Sequence, residues 1–320
     1  MCPGGKVRSL FLIWVWILLC ACTEQPQAQL RVGFNVWPGY ETLRLAKQQG
    51  YLADNIRLVE LMSATDTMDA FRHGRIEVAA LTLDEALVLA GEGIALNIVL
   101  IMDISNGADA VVARQSVTDL RQLKGKRIAY EQTAVGALML HETLEAAQLQ
   151  MADIEAVHLP VNQHFHALQT RHVDAVVTFE PVTTQLLNHE HQIIFDSAEI
   201  PGKIVDVLVV RTQQLSRHQA SLRALIWAQF ATLSYVAQHP HHAAELMSPR
   251  LGLEPDDLLS ALDGMVLADA ATNRALLVGQ GKTPPLQTTA EQLLSVLVEH
   301  HMIDADVDLH SLVDARFVIQ

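Results

Sequence analysis

The sequence predicts an α/β fold of two lobes with a ligand cleft between them. Short apolar runs alternate with helical segments over the first two thirds of the chain, which is the order of a parallel sheet with helices on its faces. The alternation starts again at Arg127, and the hexapeptide DAVVAR at 109–114 has a counterpart in DVLVVR at 206–211. Two such series joined by two chain crossings indicate two lobes, of which the first is discontinuous.

Residues 1–21 have the pattern of an export signal. Lys6 and Arg8 precede a run of 12 apolar residues, which is too short to span a bilayer. The sequence LCAC around the cleavage point favours lipidation of Cys22, followed by a polar tether over 22–29. A signal peptide without lipidation is the alternative. We therefore expect an exported domain on the periplasmic face, lipid-anchored to either the inner or the outer membrane.

The composition of the mature chain excludes several classes of protein. It has about 299 residues, which is enough for two lobes with cores of their own. The three cysteines, at positions 2, 20 and 22, precede the folded body, so that body has no disulfide and no thiol nucleophile. Without Lys6 and Arg8, 20 basic residues face 36 acidic ones. A chain this acidic, without a basic patch, is not expected to bind nucleic acid.

The opening unit predicts the first wall of the cleft. An apolar strand at 30–36 meets a turn at 37–39, and a helix follows that ends at Gly50, where a glycine C-cap is expected. Unpaired N–H groups at such a helix start, at the carboxyl end of a strand, commonly face a ligand. Trp37 and Tyr40 place two aromatic rings there.

The remaining elements follow in order. Strands are predicted at 56–61, 76–81, 96–102, 110–113, 127–130, 154–159, 173–179, 193–196 and 207–211, and helices at 67–73, 84–90, 133–147, 165–170 and 182–188. Everything after about residue 216 is predicted to be helical, with prolines separating the helices. The predicted lobes are 30–106 plus 203–320 for the first and 107–202 for the second. A cleft between lobes is the natural ligand site, and hinge closure is the natural motion.

Five stretches carry a resemblance that covers essentially the whole mature chain: GFNVWPGYETLRLAKQQGYL, SATDTMDAFRHGRIEVAALTLDEAL, DLRQLKGKRIAYEQTAVGALML, VDAVVTFEPV and IPGKIVDVLVVR. In this order they resemble the periplasmic solute-binding proteins of ABC importers, of the nitrate, sulfonate and taurine type that also includes thiamine-pyrimidine binders. The resemblance implies the type II periplasmic-binding fold. It also implies a small-molecule ligand and a membrane permease as partner.

The resemblance also implies which residues contact the ligand, because family contacts fall on loops at strand ends. These are Trp37, Tyr40, Ser63, Thr65 and Asp84 in the first lobe, Thr133, Val135, Gly136, Asn162 and Glu180 in the second, and Ser105 and Asp206 at the hinges, with Asp103 beside them.

The chemistry of these positions favours a cationic ligand. Relatives that bind oxyanions use helix N-termini with hydroxyl or basic partners, whereas this chain places carboxylates at Asp84, Glu180 and Asp206. Aromatic rings with carboxylates suit an amine-bearing ligand. Each carboxylate also has a simpler interpretation. Asp84 fits the dipole of its helix, Glu180 fits a solvated turn, and Asp206 fits a hinge hydrogen bond.

Three functions remain open at this point. The first is capture of a solute for ABC import, and the second is presentation of the closed form to a membrane sensor protein. The third is an enzyme, since the resembled fold also includes a pyrimidine-precursor synthase and a menaquinone-pathway lyase. The body has neither a cysteine nor a Gly-x-Ser-x-Gly motif, so no chemistry is expected. The 15 histidines have no metal-site spacing, and we expect no metal and no cofactor.

Overall fold

The computed structural model describes residues 28–132, 134–281, 283–299, 301–303 and 307–319. The predicted export signal, with Cys22, lies outside the described residues, and so does Thr133.

The chain forms the predicted α/β fold. Its strands are β1 Leu30–Phe34, β2 Ile56–Glu60, β3 Val78–Thr82, β4 Leu96–Ser105, β5 Asp109–Arg114, β6 Arg127–Tyr130, β7 Glu155–His158, β8 Ala175–Phe179, β9 His191–Asp196, β10 Val205–Arg211 and β11 Met265–Leu267. Its α-helices are α1 Glu41–Gln48, α2 Ala64–Arg72, α3 Leu83–Gly91, α4 Ala134–Ala147, α5 His164–Gln169, α6 Val182–Leu187, α7 Gln219–Gln238, α8 Pro240–Leu251, α9 Pro255–Asp263, α10 Ala270–Leu277 and α11 Pro285–Glu299. Among the described residues, no helix is both long and apolar enough to cross a membrane.

The strands form two sheets. The first has the order β11-β4-β10-β3-β1-β2, and the second has the order β7-β6-β8-β5-β9. Parallel pairs occur in both sheets, as the element order indicates, but the sheets are mixed. Strand β10 runs antiparallel to β3 and β4, and β5 runs antiparallel to β8 and β9. Each of these strands enters its sheet directly from the other sheet, so it does not follow the crossover helix that a parallel neighbour requires.

The chain crosses between the sheets twice, as predicted. The first crossing, from β4 to β5, takes only the three residues 106–108, because β4 continues through Asp103 to Ser105, beyond the end predicted for it. The second crossing, from β9 to β10, takes residues 197–204 and includes a short 3-10 turn. Two short connections side by side form a hinge between the sheets. The residue bounds of the two lobes stay a prediction.

The C-terminal part contains a strand where the sequence predicted only helices. Met265–Leu267 is a strand rather than a helix, and it pairs with Asp103–Ser105 at the edge of the first sheet. Three residues are too few for a period to be read from the sequence. The helices around it pack on the first sheet and on one another, and Leu45 of α1 belongs to one buried apolar cluster with side chains of α8 and α9.

The opening unit forms as its sequence indicates. The side chains of Leu43, Leu45 and Ala46 on α1 are fully buried. The helix is followed by Gly50 at a φ of +73°, a backbone conformation that glycine adopts without steric cost. Between β1 and α1 the turn is held by the Tyr40 N–H, which donates to the Trp37 carbonyl at 3.0 Å. This turn carries both aromatic rings to the space between the sheets.

Candidate ligand-binding cleft

The two aromatic residues of the opening turn are bonded to two buried aspartates. The indole Nε1–H of Trp37 donates to the Asp103 carboxylate, at 3.3 and 3.2 Å from its two oxygens. The Tyr40 hydroxyl donates to Oδ1 of Asp206. All four side chains are buried. The rings therefore orient carboxylates at the hinge and also form a wall of the cleft.

Asp103 and Asp206 lie side by side because of strand register. They are direct partners in the antiparallel pair of β4 with β10, where opposite side chains stand about 5 Å apart. Burial raises the pKa of Asp103 to about 7. Burial and the charge of Asp103 hold the pKa of Asp206 well above its usual range. The two carboxyls therefore do not both ionise readily at neutral pH.

A third buried carboxyl comes from the second sheet. Asp109 is the first residue of β5, opposite Phe179 on β8. Its backbone N–H donates to Oγ of Ser105 at 3.2 Å, which ties the start of the strand to the hinge. Burial raises the pKa of Asp109 to about 7, and the nearby charges of Asp103, Asp84 and Glu180 act in the same direction.

These groups line a small chamber between the sheets. Its lining combines aromatic rings, carboxyls and small polar groups: Asn35, Trp37, Tyr40, Ala64, Thr82, Glu85, Asp109, Val135, Phe179 and Asp206. Its free volume is about 20 Å³, which suffices for little more than a water molecule. The chamber is too small for an organic ligand in this arrangement, so we expect the lobes to part when one enters. No lysine or arginine is among the residues that line this chamber.

An adjoining chamber shares Asp109, Val135 and Phe179 with the first. His164 lies in its wall and donates from Nε2 to the Leu159 carbonyl at 3.0 Å. Burial lowers the pKa of His164 to about 4, so the ring is neutral at physiological pH. Its Nδ1 has no hydrogen-bond partner among the described residues, and neither has Oγ1 of Thr178 in the same wall. The chamber therefore offers acceptors without partners.

Two larger cavities lie at the mouth of the cleft. One, of about 360 Å³, is lined by Ser63, Thr65 and Asn162 together with the carboxylate of Glu131. The other, of about 520 Å³, lies between α2 and α3 of the first lobe and α4 of the second. Both cavities are open to solvent, and both include Thr65 in their walls.

The structure brings only some of the predicted residues together. Trp37, Tyr40, Val135 and Asp206 line the first chamber, Val135 and Gly136 the second, and Ser63, Thr65 and Asn162 the open cavity. Asp84, Ser105 and Glu180 are buried and line none of these spaces.

Four of the predicted residues have a structural role in their own part of the chain. Glu180 accepts hydrogen bonds from the N–H and the hydroxyl of Thr184, at 3.1 and 3.0 Å. It therefore caps the first turn of α6, the helix that follows it. Ser105 bonds Oγ of Ser197 at 2.8 Å and links the two crossings. Asp84 is fully enclosed at the start of α3, where burial raises its pKa to about 6. Ser63 is the N-cap of α2 and accepts from the Asp66 N–H.

Sequence reasoning did not select Asp109, Glu131, His164 or Phe179. A signal existed for Asp109, because it holds the same place in DAVVAR that Asp206 holds in DVLVVR. Phe179 ends the strand directly before Glu180, at the edge where ligand loops were expected. For Glu131 and His164 the sequence offers no such signal, since their positions depend on how the two lobes close.

Two sheets joined by a double crossing, with a polar site between them, are the architecture of the type II periplasmic-binding fold. The family model of the NMT1-like family matches residues 23–248. The chain belongs to this family. The resemblance that the sequence indicated is thereby confirmed.

The chain is similar to several characterised proteins. It is 22% identical to the taurine-binding periplasmic protein of Escherichia coli (strain K12) over 232 residues, which cover 72% of this chain and 69% of the relative. Its structure matches that of the alkanesulfonate-binding protein from Xanthomonas axonopodis pv. citri bound to MOPS, with a TM-score of 0.77, 16% identity and coverage of 91% and 99%. It also matches the desulfurization enzyme DSZB, with a TM-score of 0.65, 15% identity and coverage of 91% and 98%.

Proposed function

We propose that the protein is a periplasmic, lipid-anchored receptor that captures a small amine-bearing solute between its lobes and delivers it to an ABC importer. One observation supports a cationic ligand. Buried carboxyls surround the chamber, and no basic side chain is among the residues that line it. Asp109 and Asp206 face the ligand space, and Asp103 lies directly behind Trp37.

The energetics support a cation in this site. Burying a carboxylate costs several kcal/mol unless it is paired, so an unpaired group takes up a proton instead. The raised pKa values of Asp103 and Asp109 are the consequence in the empty site. An ammonium group that enters the chamber would pair with the Asp109 carboxylate and displace its proton. Among the described residues, no group of three or more histidine, cysteine or acidic side chains is arranged to hold a metal ion.

The second chamber supports a ligand with N–H donors. His164 is neutral and presents an unpaired acceptor, Nδ1, and Thr178 presents a hydroxyl without a partner. A buried acceptor without a donor is costly, and a ligand N–H would relieve that cost. The similarity to a taurine-binding protein agrees with this, because taurine carries an ammonium group beside its sulfonate.

A receptor releases its ligand without changing it chemically, and the proposed function supposes that this protein does so. The desulfurization enzyme has the same fold, so the fold alone does not separate a receptor from an enzyme. Among the residues that line the two chambers there is no cysteine, and the Tyr40 hydroxyl is bonded to the carboxyl of Asp206. Chromatography of the bound compound after release would test this supposition, and recovery of a product instead of the ligand would contradict it.

A thermal-shift screen tests the proposal as a whole. The chain from residue 23, which contains every described residue, is melted with amines, amino acids, nucleobases, sulfonates and inorganic oxyanions. A ligand that binds only the folded state raises Tm with its concentration. We expect hits among amines, and we expect Asp109→Asn to abolish them. Hits confined to compounds without a cationic group would overturn the proposed ligand class.

A further inference from the structure

Glu131 is a buried carboxylate that joins the two lobes. It follows β6 in the second sheet and is 4% exposed. Its Oε1 accepts two hydrogen bonds from Thr65 at the start of α2, from the N–H at 3.0 Å and from the hydroxyl at 2.5 Å. Its Oε2 accepts from the N–H of Val161 at 3.3 Å. One side chain therefore holds backbone donors of both lobes.

The donors at Thr65 are available because of helix geometry. The first N–H groups of a helix have no partner within it. Ser63 caps the N–H of Asp66 with its Oγ at 3.1 Å, which leaves the N–H of Thr65 for Glu131. The helix dipole also favours a negative charge there. Among the described residues Glu131 has no ion pair, so these donors are the partners that balance its charge.

The contact between Glu131 and Thr65 lies at the cavities through which a ligand reaches the cleft. The two larger cavities share Thr65 and Gln132 in their walls, and Glu131 lines both the smaller of these cavities and the second chamber. The first turn of α4 fixes the backbone of Glu131, since a Cβ at Gly136 would stand 2.3 Å from the Glu131 carbonyl oxygen. If the lobes part, the bonds to Thr65 break while the bond to Val161 stays within the second lobe.

We propose that Glu131 is a positioning residue that latches the cleft, and that its bonds to Thr65 set the ratio of closed to open molecules before any ligand binds. The inference rests on the proposed receptor function, because it assigns a role in lobe closure to a residue of the same cleft. Apparent affinity falls with the fraction of molecules that are competent to bind. The latch therefore changes ligand affinity through the closed-to-open ratio, independently of any contact that Glu131 makes from the wall of the second chamber.

Distance measurement between the lobes tests the latch without a ligand. The chain from residue 23 has no cysteine, so Met62→Cys and Glu155→Cys introduce two exposed sites for spin labels, one in each lobe. The otherwise native protein should give one distance, and Glu131→Ala should add a second, longer one. Loss of a charge-assisted hydrogen bond corresponds to about a tenfold change in the closed-to-open ratio.

Two further variants keep the test decisive. Thr65→Val removes only the hydroxyl and retains the N–H, so it should give a smaller shift than Glu131→Ala. Glu145→Ala, which removes an exposed carboxylate from the same lobe, should leave the distance unchanged. Equal distances in Glu131→Ala and the parent protein, with both folded by their melting curves, would overturn the latch. So would an equal shift in Glu145→Ala. Either result leaves the ligand screen as an independent test of the proposed function.

Discussion

The ring of Trp37 meets the ring of Phe179 edge to face, with centroids 5.8 Å apart and planes at 79°. Trp37 follows a strand of the first sheet, whereas Phe179 ends a strand of the second, so the contact joins the lobes across the cleft. Phe179 is also the cross-strand partner of Asp109. The aromatic contact and the carboxyl cluster thus belong to one site, and a ligand that enters it must meet both.

The first prediction concerns tryptophan fluorescence. The chain from residue 23 has two tryptophans, Trp37 in the cleft and Trp227, which is 62% exposed on α7. Ligand binding should change the emission of a Trp227→Phe variant, because Trp37 then reports alone. The Trp37→Phe variant should lose the signal and bind about tenfold more weakly, since it loses a cation–π face and the donor to Asp103. A persistent signal in Trp37→Phe would place the ligand elsewhere.

The second prediction concerns the stability of the empty protein. Asp109 has a pKa of about 7 in the folded chain and an ordinary value near 3.8 when unfolded. Between these values the folded state holds a proton that the unfolded state has released, so this group's contribution to the free energy of unfolding falls as pH rises. Asp109→Asn removes the titration. From pH 5 to pH 8 the variant should therefore gain about 1–4 kcal/mol relative to the wild type.

Urea unfolding at the two pH values measures this difference. Asp54→Asn is the matched control, because Asp54 is exposed in the first lobe. Its unfolding curve should follow that of the wild type at both pH values. If the Asp109→Asn curve also ran parallel to the wild type, Asp109 would be ionised in the empty site and the account of the cluster would be wrong.

The third prediction concerns ligand affinity and pH. A cation pairs with ionised carboxylates, and those of Asp103 and Asp109 take up protons near pH 7 in the empty site. Affinity should therefore rise from pH 5 to pH 8, and binding at pH 6.5 should release protons to the buffer. Calorimetry in two buffers of different ionisation enthalpy measures that release. Proton uptake, or affinity that falls over this range, would be the opposite of the expected sign.

The fourth prediction concerns Gly39 in the opening turn. A Cβ there would lie 2.0 Å from Oδ2 of Asp103 and 2.7 Å from Nε1 of Trp37. Gly39→Ala should displace one of them, lower the unfolding free energy by about 1–3 kcal/mol and weaken binding more than tenfold. Gly281→Ala is the control, because its nearest neighbour stands at 3.6 Å, an ordinary contact. Unchanged ligand affinity in Gly39→Ala would show that this turn is not part of the ligand site.

The sequence predicts the fold well because its signals are local. Alternating apolar runs and helical patterns indicate the elements, and the repeat of DAVVAR in DVLVVR marks the two strands that follow the crossings. The antiparallel placement of those strands was not predicted, because strand direction depends on which sheet supplies the preceding element. The short β11 was missed because the edge of the first sheet, rather than its own sequence, makes it a strand.

The site is less predictable because it forms between lobes. Trp37 and Tyr40 follow from the local turn, and the structure places both in the wall of the first chamber. The pairing of Asp103 with Asp206 needs the register of β4 with β10, which no local pattern gives. The partners of Glu131 lie 66 and 30 positions away along the chain. Only the closed arrangement of both lobes brings such groups together.

The affinities of a matched ligand pair test the central claim most directly. The strongest amine from the screen is compared by calorimetry at pH 8 with the analogue in which a hydroxyl replaces the amino group, for example taurine with isethionate. A carboxyl cluster that binds the cationic group predicts tight binding of the amine and a loss of at least about tenfold for the hydroxyl analogue. Equal affinity of the two, or binding of an oxyanion alone with no amine bound, would contradict the account.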